Sequence, residues 1–132
     1  MATVLVVEDE GVIRMIMARV IRRAGHTVTE AVNGEEGWQR IEQAIPDLVI
    51  SDIDMPVWSG TDLCVRIRSD ERTRNLPVLF VSGSLVPGDP RAVDAQATAV
   101  LRKPFTPAEL VACLDKMMQT GHQPGQPPFA CP

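Results

Sequence analysis

Apolar residues fall in this chain in two kinds of stretch that alternate along its length. Residues 4–7 (Val-Leu-Val-Val), 48–51 (Leu-Val-Ile-Ser) and 77–82 (Pro-Val-Leu-Phe-Val-Ser) are short, nearly continuous apolar runs. Such runs read as strands buried on both faces. Residues 27–31 alternate weakly and residues 99–101 are apolar, giving two further strands. Between the first two strands, Ile13, Ile16, Met17, Val20, Ile21 and Ala24 recur at helical spacing. Arg22 and Arg23 suit the last turn of that helix, and Gly25 suits the position just past it.

The remaining helices carry their own start and stop signals. Asn33-Gly34 opens one through about Ala44, with Trp38 and Ile41 facing inward and Pro46 ending it. Ser59-Gly60 opens the next, with Leu63, Val65 and Ile67 as expected core residues. Thr106, Pro107 and Glu109 form a cap, first-turn proline and capping-box acid for a helix to about Met118. After Ser82, the prolines and glycines of residues 83–90 should delay or fragment a fourth helix. Strands alternating with helices predict an α/β fold: a doubly wound, five-stranded parallel sheet with helices on both faces. Right-handed crossovers then bring every strand's carboxyl end to one edge. Residues 1–118 make one domain, and the Pro/Gly-rich residues 119–132 are expected to be a flexible tail.

Composition narrows the possible partners. With 13 basic against 17 acidic residues and a net charge of −4, the domain lacks the basic surface that nucleic acid requires. No apolar run nears the roughly 20 residues of a membrane span, and the first residues lack a basic leader region. Cys64, Cys113 and Cys131 are far apart and odd in number, so reduced thiols in the cytoplasm are expected. His122 and Cys131 have no metal-site spacing and are read as inert. Arg66, Arg68, Arg72 and Arg74 read as a solvated stretch balanced by Asp70 and Glu71.

The chemistry gathers at the strand ends. Strand one runs into Glu8 and Asp9, strand three into Asp52, strand four ends in Ser82-Gly83, and strand five runs into Lys103-Pro104. Each residue alone has an ordinary role as a helix-terminal acid, a turn former or a surface lysine. Together on one edge they ask for a cation, because clustered carboxylates repel. Oxygen ligands without a His or Cys pair favour Mg2+. An Asp nucleophile, a metal, a hydroxyl and an ammonium group suit phosphoryl transfer.

With these motifs the chain resembles the response-regulator receiver domains of two-component signalling. Val-Val-Glu-Asp-Glu (6–10), Asp52-Ile-Asp-Met-Pro, Ser82-Gly and Lys103-Pro-Phe match that family's motifs in order and spacing. The resemblance implies the flavodoxin-like strand order 2-1-3-4-5. It implies that Asp52 accepts a phosphoryl group from a histidine kinase or a phosphotransfer protein. It places Mg2+ on Asp9 and Asp52, on Glu8 through water, and on the backbone carbonyl of Asp54. Ser82, Gly83 and Lys103 would hold the phosphoryl oxygens, and Lys103-Pro104 is a candidate cis peptide. Such a protein is no enzyme beyond its own phosphorylation and dephosphorylation. With no output domain after residue 118, its output is expected through an unknown protein partner, with no nucleic acid or membrane.

Two departures stand out. Where receivers often carry an aromatic residue three positions before the lysine, this chain has Val100, and it has no Tyr. The Pro-rich loop after Ser82 is the second departure. Together with Phe80-Val81-Ser82-Gly83 and Lys103-Pro104-Phe105, they resemble the "FAT GUY" receivers, stand-alone proteins associated with HWE-type or related histidine kinases. Loop 83–90 could then replace the aromatic switch. Asp54 could orient or repel an attacking water. Val12 and Met15 could dock a phosphotransfer helical bundle or pack on helix five, and Trp58 could anchor a partner or pack in its loop. The alternative function is a haloacid-dehalogenase-like phosphatase, whose nucleophile motif Asp52-x-Asp54 also resembles. That motif normally lies on the first strand, and Glu8-Asp9 would then be unexplained.

Overall fold

A computed structural model describes residues 1–131. Its elements run β1 (Thr3–Val7), α1 (Gly11–Arg23), β2 (Thr27–Ala31), α2 (Gly34–Gln43), β3 (Leu48–Ser51), α3 (Gly60–Ser69), β4 (Val78–Ser82), α4 (Pro90–Ala95), β5 (Ala99–Arg102), α5 (Pro107–Thr120) and β6 (Phe129–Ala130). The strands form one six-stranded sheet in the order β2-β1-β3-β4-β5-β6. Every described pairing is parallel.

Alternate side chains of each strand feed two cores, one per sheet face. Val4, Val6, Leu48, Ile50, Leu79 and Val81 pack with Met17 and Ile21 of α1 and Leu110, Leu114 and Met117 of α5. Leu5, Val7, Val49, Val78 and Phe80 pack with Trp38 and Ile41 of α2 and Leu63, Cys64 and Ile67 of α3. Burial on both faces explains why these strands read as unbroken apolar runs.

The helix signals act as the chain spells them. Asn33 caps α2, accepting from the Glu36 amide. Ser59 with Asp62, and Thr106 with Glu109, form capping boxes on α3 and α5. Gly25 follows α1 with φ +97°, in the left-handed region that suits glycine. The fourth helix is cut to six residues, starting at Asp89-Pro90.

Several expectations need correction. The sheet has a sixth strand, because residues 119–131 do not trail away. The chain leaves α5 at Gly121, turns back, and lays Phe129–Ala130 along β5 in register with Ala99 and Val100. Cys131 is bonded to Cys113 of α5, so these two are not free thiols; Cys64 remains free and buried. The mixed Gly/Pro composition hid a segment held by a long-range covalent bond. Val65 of α3 and Ile16 of α1 are exposed rather than core, because the helix turns them away from the sheet while Cys64 and Met17 take the inner positions. Ala24 is exposed at the end of α1.

Candidate functional site

Three chemical groups sit one residue beyond a strand, and a last ladder hydrogen bond fixes each. The Glu8 amide donates to Ala31 O at 3.0 Å, the Asp52 amide to Val7 O at 3.0 Å, and the Lys103 amide to Ser82 O at 3.1 Å. The sheet therefore sets where their side chains begin. Ser82 is the last residue of β4 and is buried. The Lys103-Pro104 peptide is cis.

These side chains converge. Lys103 Nζ lies 2.7 Å from Glu8 Oε1 and 3.2 Å from Asp52 Oδ2. Glu8 is fully buried, Asp52 nearly so, and Asp9 is exposed beside them. One carboxylate oxygen from each of Glu8, Asp9 and Asp52 comes within 4.8 Å of the others. Asp52 Oδ1 accepts from the Ile53 amide at 2.7 Å. Burial raises the Glu8 carboxyl above its usual range; its Lys103 bond opposes that rise and the Asp52 charge adds to it. Burial works against the Lys103 charge, but the bond to Glu8 and the charge of Asp52 outweigh it and hold the ammonium above its usual range. Three carboxylates against one ammonium leave a negative site of hard oxygen donors, which fits a divalent cation such as Mg2+.

Asp54 points elsewhere. Its side chain is exposed, and Ser84 Oγ donates to its Oδ2 at 2.7 Å while Arg91 Nη1 lies 3.5 Å from its Oδ1. Ser84 also reaches Ser82: its amide donates to Ser82 Oγ at 3.2 Å, and the two hydroxyls are 3.0 Å apart. Arg91 binds Ser84 O at 3.0 Å and grips Asp89 through Nε at 3.1 Å and Nη2 at 2.8 Å. Its hydrogen bond holds the Asp89 carboxyl well below the usual carboxylate range. A polar chain thus runs from Ser82 through Ser84 to Asp54 and Arg91. Sequence reasoning missed Ser84, Asp89 and Arg91. Asp89-Pro90 carried a legible helix-start signal, but nothing local marks the contact of Arg91 with Asp54.

Gly60 is a further site residue with a hidden role. A Cβ there would run into the carbonyl oxygen of Asp52, and the Gly60 amide donates to Ile53 O at 2.8 Å. The first turn of α3 therefore rests on the backbone of Asp52. Gly83 is exposed with its α-carbon facing Lys103, where a Cβ would stand 4.0 Å from Lys103 Cβ.

The outlying residues divide. Val12 and Met15 are 66% and 53% exposed, so they do not pack on α5. Trp58 is half-buried against the α2–α3 core, in loop packing. Arg68 is no solvated arginine: it donates to Gln96 O, Arg74 O and Leu76 O and tethers α3 to the segments beside it. Arg66 stacks over the Trp38 ring at 4.8 Å. His122 is engaged rather than inert, with Nδ1 2.8 Å from Thr98 Oγ1 and 3.2 Å from Arg68 Nη2.

A sheet of this order with carboxylates, hydroxyl and lysine at its carboxyl edge defines a receiver-type domain. The chain belongs to the response-regulator receiver family, whose profile it matches over residues 4–115. It is 31% identical over 118 residues to the phosphate regulon transcriptional regulatory protein PhoB of Pseudomonas aeruginosa, covering 89% of this chain and 52% of that protein. It is 39% identical over 115 residues to the transcriptional regulatory protein PdtaR of Mycobacterium tuberculosis, covering 85% of this chain and 54% of that protein. The chain spans about half the length of these curated relatives. Among solved structures it resembles the chemotaxis response regulator CheY4 of Vibrio cholerae with a TM-score of 0.84 and 31% identity, covering 88% of this chain and 98% of that one. Proteins of this family are signalling domains that histidine kinases phosphorylate, and they typically bind Mg2+ at an acidic pocket. Among the described residues, no helix is long and apolar enough to cross a membrane.

Proposed function

We propose that Asp52 is the phosphoacceptor of a response regulator whose output is contact with another protein. The observation that carries this reading is Lys103 Nζ bridging Glu8 and Asp52 beside the Glu8-Asp9-Asp52 carboxylate group. The donor is a phosphohistidine on a kinase or phosphotransfer protein. An Asp52 carboxylate oxygen attacks phosphorus, the P–N bond breaks, and the imidazole leaves and takes up a proton.

Asp9 and Asp52, with Glu8 through water and the Asp54 carbonyl, would hold Mg2+, which when bound offsets charge on the phosphoryl oxygens. Lys103 turns from its carboxylate partners toward the phosphoryl group. Ser82 Oγ and the Gly83 amide donate to its remaining oxygens. The exposed apolar residues Val12 and Met15 on α1, the helix that follows Glu8 and Asp9, suit docking of the donor's helical bundle.

The test is phosphotransfer from candidate kinases and a small acyl phosphate to the wild type and to Asp52→Ala, with and without Mg2+. Label confined to the wild type and dependent on Mg2+ is expected. Label on Asp52→Ala would sink the assignment.

A further inference from the structure

The terminal segment covers a part of the sheet that would otherwise be bare. Without β6, β5 would be the edge strand, with a row of unpaired backbone groups. The Phe129 amide donates to Thr98 O at 3.2 Å and the Cys131 amide to Val100 O at 2.8 Å. Pro127, Pro128 and Ala130 also close over a cavity of about 120 Å³ against Val86, Pro87, Val93 and Val100. The same loop between β4 and α4 carries Ser84 at its other end. The segment thus sits over the edge next to the loop that touches Ser82.

Little besides one covalent bond holds it there. The strand itself is two residues long. The chain leading to it contains Gly121, Pro124, Gly125, Pro127 and Pro128 and, apart from the turn bond from the Gln126 amide to Gln123 O and the side-chain contacts of His122 and Gln123, lies outside regular structure. Ordering such a chain costs backbone entropy at every residue. Its other ties are two ladder bonds, the Phe129 ring 4.2 Å from Lys116 Nζ, the contacts of His122 with Thr98 and Arg68, and partial packing of Phe129 and Cys131 against the α1–α5 core. The Cys113–Cys131 disulfide closes an 18-residue span and removes most of the freedom that undocking would release. The two bonded residues differ in burial: Cys113 is buried on α5, whereas Cys131 is partly exposed.

We propose that the Cys113–Cys131 disulfide is a redox-operated latch. When formed, it keeps residues 122–131 against the β5–α4 edge; when exchanged with a dithiol, it releases them and opens that edge. A thiolate of the dithiol attacks Sγ of Cys131, and Cys113 leaves and takes up a proton. The second thiol of the dithiol then attacks the mixed disulfide and frees Cys131. Two electrons and two protons pass to the protein, and the dithiol departs as its own disulfide. Cys131, the partly exposed partner outside α5, takes the attack and the buried Cys113 leaves, so exchange needs no prior unfolding of α5.

The test needs neither phosphodonor nor Mg2+, so its outcome is independent of Asp52 chemistry. The protein is equilibrated with oxidised glutathione or with dithiothreitol, its thiols are counted after denaturation, and amide hydrogen exchange is followed. The oxidised form should show one thiol, Cys64, and the reduced form all three cysteines. Exchange at Phe129 and Cys131 should be at least about tenfold faster in the reduced form, with β1 unchanged. Cys131→Ser should exchange at the fast rate in both buffers. Three thiols after oxidation, or equal protection of these amides with and without the disulfide, would overturn the latch.

Discussion

Ser84 Oγ donates to Asp54 Oδ2 at 2.7 Å and stands 3.0 Å from Ser82 Oγ, so one hydroxyl links the loop after Asp52 to the buried serine at the end of β4. With Arg91 on its other oxygen, Asp54 is drawn toward the β4–α4 loop. A carboxylate engaged this way on both oxygens is not free to orient a water. On the proposed phosphorylation of Asp52, Arg91→Ala should free it and shorten the life of the aspartyl phosphate by about threefold to tenfold, below the roughly 10²–10⁴-fold of a dedicated general base. Adding Asp54→Asn should restore the longer lifetime. Measuring decay of labelled protein decides it: equal lifetimes in all three proteins would make Asp54 an ordinary loop acid.

Gly60 supports the Asp52 backbone from below. Because a Cβ would strike the Asp52 carbonyl oxygen, Gly60→Ala must move either α3 or Asp52. A loss of about 1–3 kcal/mol in urea unfolding is expected, as for overpacking elsewhere. If Asp52 is the proposed nucleophile, phosphotransfer should slow as well, because the displaced backbone carries it. An unchanged midpoint and rate would mean that the loop yields freely.

Val57 lies in the same loop with φ +69°, a conformation uncommon for a β-branched residue, and its side chain is exposed. Nothing buried is lost by replacing it. Val57→Asn should therefore raise stability by about 0.5–1 kcal/mol, since Asn tolerates the left-handed region. Thermal unfolding of the two proteins reads the difference; a lower Tm in the variant would show that the valine makes a contact worth more than its strain.

The parallel sheet was legible because its signals are local and repeated. Residues 48–51 and 77–82 could only be strands buried on both faces, and Ser59 and Thr106 capped helices where they should. The placement of Glu8, Asp52, Ser82 and Lys103 followed from one topological rule, that parallel strands deliver their ends to a common edge. What escaped depends on partners distant in sequence. Arg68 looked like a surface charge because its acceptors, such as Gln96 O, are backbone groups 28 residues away. Cys131 looked unpaired because an odd cysteine count conceals one pair and one buried thiol. Phe129–Ala130 is too short to register as a strand, and becomes one through the edge that β5 offers.

His122 gives the tail a pH dependence whose sign follows from its surroundings. Burial, reinforced by the nearby Arg68 charge, lowers the imidazole from its usual 6.5 to about 4. Its Nδ1 lies 3.2 Å from Arg68 Nη2, which can only donate, and 2.8 Å from Thr98 Oγ1, while its buried Nε2 has no partner; a proton on Nδ1 would face the Arg68 guanidinium, so the docked ring is neutral. The released segment would titrate near 6.5, as an ordinary histidine does. Between pH of about 6.5 and about 4 the released state therefore binds more protons than the docked one. Docking is strongest above that window, weakens as pH falls through it, and loses nothing further from this group below it. In the reduced protein, where no disulfide holds the segment, exchange at Phe129 should accelerate over this window, and His122→Gln should flatten the dependence. The ring resonances of His122 in the oxidised protein should titrate with a midpoint near 4; a midpoint near 6.5 would show a solvated ring and a tail that does not bury it.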